Sequence, residues 1–115
     1  MASDKSQQDT NMPSGQVMKL IEQIQYREGG FVTRTIIDND NGTCKLAALD
    51  KGQGRSEHTA PFSALVYLLD GEAEITISGK PYHLKQGEMI IISANEPHAL
   101  RALTELKLMS VMIKS

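Results

Sequence analysis

The sequence predicts an all-β domain closed into a barrel or sandwich, and three observations carry that expectation. From Phe31 onward, short apolar runs are cut by turn residues every several positions. Residues 65–69 (LVYLL) are apolar on both pleat faces, so that strand needs cover on both sides. Residues 72–78 alternate instead: Ala73, Ile75 and Ile77 on one face, Glu72, Glu74, Thr76 and Ser78 on the other, the pattern of a half-buried strand.

Residues 1–16 are polar and poor in aliphatic side chains, which reads as a flexible tail ahead of a domain over 17–115. Val17, Leu20, Ile21 and Ile24 fall at helical spacing, so this stretch is either a short amphipathic helix or an extended cover over a barrel rim. Gly29-Gly30 ends it. A strand over 33–37 then meets a turn cluster, Asp38 to Gly42, with Asn41-Gly42 as its strongest signal. A strand over 44–49, a Gly-rich loop over 50–54, and strands over 65–69 and 72–78 follow. Turns at 78–81, 85–88 and 94–97 separate the strands 82–84, 89–92 and 98–103. A last strand covers 106–113, for eight or nine in all. Closing such strands on themselves removes exposed sheet edges.

Bulk properties narrow the function. The chain has 115 residues, 40 % of them hydrophobic, enough for one core. Twelve basic against fourteen acidic residues give a net charge of −2, which argues against nucleic acid as a partner. The longest apolar run, 64–69, is far short of the ~20 residues of a membrane-spanning helix. The chain opens on polar residues, and its one cysteine, Cys44, excludes an internal disulfide and a cysteine-rich zinc site. A cytoplasmic protein is expected. Neither Gly-rich stretch precedes a helix, so neither reads as a nucleotide loop, and Lys19, Arg27 and Lys45 do not cluster in sequence into a basic patch.

Of the three histidines, His83 lies between Tyr82 and Leu84 and alternates to the outside. His58 and His98 each stand at the start of a β run beside a turn, as ligands from two strands of a barrel would. Met89, Met109 and Met112 read as core filler, and Cys44 as a buried, inert thiol.

Residues 46–113 resemble a small single-domain cupin. The family's first motif runs from a glycine through a His-x-His pair and a glutamate to a second glycine; here the matching stretch is Gly52 or Gly54, His58-Thr59-Ala60, Ala64 and Gly71. The second motif runs from a glycine to a proline-containing turn and a histidine, matched by Gly87 and Glu96-Pro97-His98. The resemblance implies a double-stranded β-helix, a jelly-roll barrel with its pocket in the open mouth. It also implies metal ligands at His58 and His98, with Ala60 and Ala64 standing where two further ligands belong. Two imidazoles leave zinc, iron, nickel or manganese short of ligands unless Glu57, Tyr67 or Glu96 is recruited, so the sequence favours a pocket without such a metal.

The function expected is therefore a small-molecule-binding barrel, with His58, His98 and Tyr67 in its pocket. Neutral imidazoles there would hydrogen-bond a carboxylate or carbonyl of the ligand. The alternative is a metal-dependent or metal-free enzyme (an isomerase, lyase or dioxygenase) acting on a small oxo or hydroxy acid. The two-faced strand over 65–69 calls for a cover, either the N-terminal segment or a second copy, and a homodimer is expected.

Overall fold

The computed structural model describes residues 10–114. Among these residues, nine strands follow one 3-10 turn, Leu20–Gln23. They are β1 Phe31–Asn39, β2 Gly42–Leu49, β3 Gly54–His58, β4 Ser63–Asp70, β5 Glu72–Ile77, β6 Lys80–Lys85, β7 Met89–Ile92, β8 His98–Ala102 and β9 Leu106–Ile113. They form a five-stranded sheet in the order β1-β2-β9-β4-β7 and a four-stranded sheet in the order β3-β8-β5-β6, with antiparallel pairing throughout. Among the described residues, no helix is long and apolar enough to cross a membrane.

Strand alternation builds the core. Ala47 and Leu49 of β2, Val66 and Leu68 of β4, and Leu106 and Leu108 of β9 point between the sheets. Ala73, Ile75 and Ile77 of β5 and Leu84 of β6 meet them from the other side. Gly71 joins β4 to β5 with φ +85°, and a Cβ there would collide with the Glu105 carbonyl oxygen, so only glycine fits.

The outer face of the larger sheet carries a second apolar cluster, and the N-terminal segment is its cover. Ile24 is 4 % exposed and packs on Leu46 and Ala48 of β2, with Leu20, Tyr26, Leu69 and Met109 around them. Polar ties fix the segment in place. Lys107, buried in β9, donates from Nζ to the Ile21 carbonyl at 2.7 Å and lies 5.1 Å from the centre of the Tyr26 ring. Arg34 donates to the Gln23 carbonyl, and the Tyr26 hydroxyl donates to Asp70 at 2.6 Å. The Gly29 N–H donates to the Asp50 carboxylate at 2.6 Å.

Of the two expectations for this stretch, an extended cover forms, but over the outer face of the larger sheet rather than over a barrel rim. Val17, in register for a helical apolar face, is fully exposed, and only one 3-10 turn interrupts the extended chain. So short a segment gains more from bonds to the sheet than from an isolated helical turn with no side-chain cap. The flexible tail expected over 1–16 lies partly outside the described residues. Within them, the Thr10 hydroxyl donates to the Ile36 carbonyl of β1. Of the three methionines expected in the core, Met109 joins the outer cluster, whereas Met89 is 51 % exposed on β7, because alternation turns it to the outer face of an edge strand.

Candidate functional site

His58 and His98 are cross-strand partners in the β3–β8 ladder. His98 opens β8 as the sequence reading placed it, but His58 closes β3 rather than starting a strand. A bulge between Arg55 and His58 has a direct consequence for the site. Residues three apart on a regular strand face opposite ways, and the extra residue brings both to the same side. On the β8 side, Asn95 adopts φ +68°, a conformation asparagine tolerates. Its N–H donates to the Ala60 carbonyl at 2.7 Å, tying the turn before His98 to the loop after His58.

The two rings stand 4.3 Å apart between centroids, tilted by 58°. Each Nδ1 hydrogen-bonds the carbonyl two residues earlier: His58 to Ser56 of β3 at 2.9 Å, and His98 to Glu96 in the turn before β8 at 2.9 Å. A carbonyl only accepts, so both Nδ1 atoms carry the proton, and in neutral rings both Nε2 atoms are bare acceptors. That geometry reverses one expectation from sequence. Neutral imidazoles held this way cannot donate to a ligand's carboxylate or carbonyl; they can only accept, from an O–H or N–H group. They cannot hydrogen-bond each other either.

Both rings line a cavity of about 170 Å³ between the sheets. Its floor is shared with the core through Val66, Ile75, Ile92 and Leu108. The remaining polar lining is Thr33 of β1, Lys45 of β2, Arg55 of β3 and Ser110 of β9, and no carboxylate is among the lining residues. Lys45 sits opposite Ser110 in the β2–β9 register and continues the inward row of Ala47 and Leu49. Asp38 lies outside the lining; its carboxyl is held below the usual range chiefly by the Thr43 hydroxyl, with Lys114 and Lys45 adding to it. A larger groove of about 410 Å³ lies on the outer side of the smaller sheet, open to solvent and without either histidine. Arg55, on the edge strand, borders both.

Several expected site residues fall elsewhere. Tyr67 does not line the cavity: Ala64 and Val66 do, so alternation along β4 sends Tyr67 to the outer face of the larger sheet. Ala60 lies in the loop after β3 and is not among the lining residues, whereas Ala64 is. The Glu96 carboxylate accepts from the Ser78 hydroxyl at 3.3 Å, and Glu57 is exposed on the bulge. His83 is on the surface, 2.6 Å from Glu72. Among the described residues, no group of three or more His, Cys, Asp or Glu converges as a metal site would require. The two Nε2 atoms alone do not make a ligand set for a divalent metal. Lys45 and Arg55 are the residues that sequence reasoning missed. Scattered along the chain, they meet at one cavity because the barrel closes.

Comparison with known proteins agrees with this architecture. Over 83 residues, covering 69 % of the chain, the sequence is 29 % identical to L-ectoine synthase of Marinomonas sp., and the match spans 64 % of that synthase. A conserved protein of unknown function from Streptococcus pyogenes superposes with a TM-score of 0.89 at 30 % identity, over 94 % of this chain and 95 % of the other. A Cupin 2 conserved barrel domain protein from Leptotrichia buccalis is 36 % identical, with a TM-score of 0.81 over 84 % of this chain and 47 % of its own. The model of the cupin domain matches residues 45–113, most of the chain from β2 to the end of β9, and with the closed two-sheet barrel it shows that this protein belongs to the cupin family.

Proposed function

We propose that this barrel binds a small molecule in the cavity centred on His58 and His98. The observation that carries the reading is the His58–His98 pair itself: two imidazoles, each fixed by a backbone carbonyl, lining a partly apolar cavity that none of the described side chains fills. The volume is below the ~300–1,000 Å³ of drug-sized sites and fits a compact metabolite. Similarity to L-ectoine synthase supports the enzyme alternative, in which one bare Nε2 acts as general base on a small oxo or hydroxy acid. A single unpaired cysteine agrees with a cytoplasmic setting.

We also infer a homodimer across the outer face of the larger sheet. The N-terminal segment covers Leu46 and Ala48 but leaves a row running through Ile37, Cys44, Val111, Leu65 and Ile91 across all five strands. Ile37 and Ile91 in that row are exposed, and a second copy would cover it.

The test of the binding role is a thermal-shift screen of small metabolites against the chelator-treated protein, repeated on His98→Ala. A ligand at a hundred times its Kd stabilises the fold by about 2.7 kcal/mol. Hits that vanish in His98→Ala support the reading. A screen in which every hit persists in that variant places binding elsewhere and overturns it.

A further inference from the structure

We infer that the cavity selects a compact carboxylate that also carries a hydrogen-bond donor, a hydroxyl or an ammonium, with the carboxylate toward Lys45 and Arg55 and the donor between the two imidazoles. The inference rests on the binding role proposed above and names the class of ligand. Its first support is the accounting of donors and acceptors. Both Nδ1 protons are used by Ser56 and Glu96, so the neutral pair offers the cavity two acceptors at a centroid separation of 4.3 Å. Acceptors left without a donor are unsatisfied, and an O–H or N–H group of a ligand reaching them relieves that. A ligand with only acceptors there would add a third lone pair.

The second support is charge. The lining carries two cations, Lys45 and Arg55, and no carboxylate. A carboxylate neutralises them, and Arg55 can take it through two parallel N–H bonds. The same pair of cations opposes a ligand whose only charge is positive, a free divalent metal included. Ser110, facing Lys45 across the β2–β9 ladder, adds a hydroxyl on the same side. The third support is size. At ~30 Å³ per water, about 170 Å³ displaces roughly six waters, which limits the ligand to a short carbon skeleton lying on Ile92 and Met112.

The experiment follows imidazole nitrogen shifts by NMR on the full chain, chelator-treated, while four probes of one carbon length are titrated: 2-hydroxybutyrate, 2-aminobutyrate, butyrate and 2-hydroxybutyramide. A neutral fragment set of similar size is run alongside. Before any ligand is added, both rings should show the Nδ1–H form. One of the first two probes should bind at least tenfold more tightly than butyrate, which lacks the donor, and than the amide, which lacks the charge. Which of the two wins distinguishes a hydroxy acid from an amino acid. Lys45→Met should weaken that probe at least tenfold while the unliganded ring shifts stay in place. Butyrate or a neutral fragment binding as well as the donor-bearing acids overturns the inference and leaves the binding role standing. Failure of every probe and fragment to move the ring signals overturns both. An Nε2–H form in either unliganded ring removes the first support and overturns the assignment of the donor.

Discussion

Replacing Ile24 by alanine tests whether the N-terminal segment is part of the fold or merely lies along it. Ile24 is 4 % exposed and rests on Leu46 and Ala48, themselves buried on the outer face of the larger sheet. Ile→Ala removes about three methylene-sized groups, each worth ~0.8 kcal/mol when buried, so the transfer loss is about 2.4 kcal/mol. A cavity normally adds to this and brings such changes to ~2–5 kcal/mol. Here the contact joins the sheet to a short surface segment rather than to a second layer of the core, so the surroundings can close in and the total should stay near the lower end, about 2–3 kcal/mol. Val17→Ala is the control. Val17 is seven residues earlier and would share the apolar face of a helix, yet it is fully exposed and should cost less than ~0.5 kcal/mol. Urea unfolding followed by circular dichroism measures both. With a slope of ~1–3 kcal/mol per molar, Ile24→Ala should lower the midpoint by about 0.7–3 M, and Val17→Ala should leave it in place. Equal midpoints for the two variants would refute the docked segment. A large loss in Val17→Ala would restore the amphipathic helix.

Three further predictions follow from other parts of the structure. Burial, then the hydrogen bond to Asp70, raises the Tyr26 phenol above its usual range, so the folded protein keeps a proton that the unfolded chain gives up. Stability from this source is complete below the ordinary phenol range, about pH 10, and falls as pH rises above it; Tyr26→Phe should flatten that alkaline decline in denaturant midpoints and cost about 1 kcal/mol at neutral pH. Ala64→Glu places a carboxylate in the histidine-lined cavity and should raise affinity for zinc or manganese at least tenfold by calorimetry; Ala60→His, whose site is in the loop, should add nothing. Sedimentation should give a mass near twice 12.6 kDa for the parent chain and near 12.6 kDa for Ile91→Lys; a parent that runs as a monomer at micromolar concentration rules out the dimer.

The strands were legible because their signals are local. Alternation in β5, the Asn41-Gly42 turn after β1 and the glycine between β4 and β5 each declare themselves within a few residues. The two-faced apolar run in β4 announced a cover on its outer side, and the structure supplies part of it: Leu69 lies under the N-terminal segment. What that segment does was not legible, because its spacing fits a helix and a sheet cover about equally well. The choice is made by Lys107, Arg34 and Asp50, residues remote in sequence that bond its backbone. A periodicity read over the eight residues 17–24 contains no information about a partner 86 residues away.

The site divides in the same way. His58 and His98 stood out because each sits in a motif with its own turn chemistry, and the ladder pairs them directly. Lys45 was within reach of strand reasoning. Ala47 and Leu49 point inward, so the residue two before Ala47 shares their face, and it borders the cavity while staying exposed to solvent. Arg55 was beyond reach, since regular alternation from His58 sends it outward, and the bulge that reverses this leaves no mark in the sequence Gly-Arg-Ser-Glu-His. Tyr67 failed by the converse error: chemistry suggested a ligand, while its parity with Ala64 and Val66 had already placed it outside. The tautomer of the histidines is furthest from the sequence, because it depends on two carbonyls, each two residues away, whose orientation only the folded turns define. Yet that feature decides whether the cavity asks a ligand for an acceptor or for a donor. Residue identity supplies the imidazoles, but the backbone determines which of their two nitrogens is left as a bare acceptor.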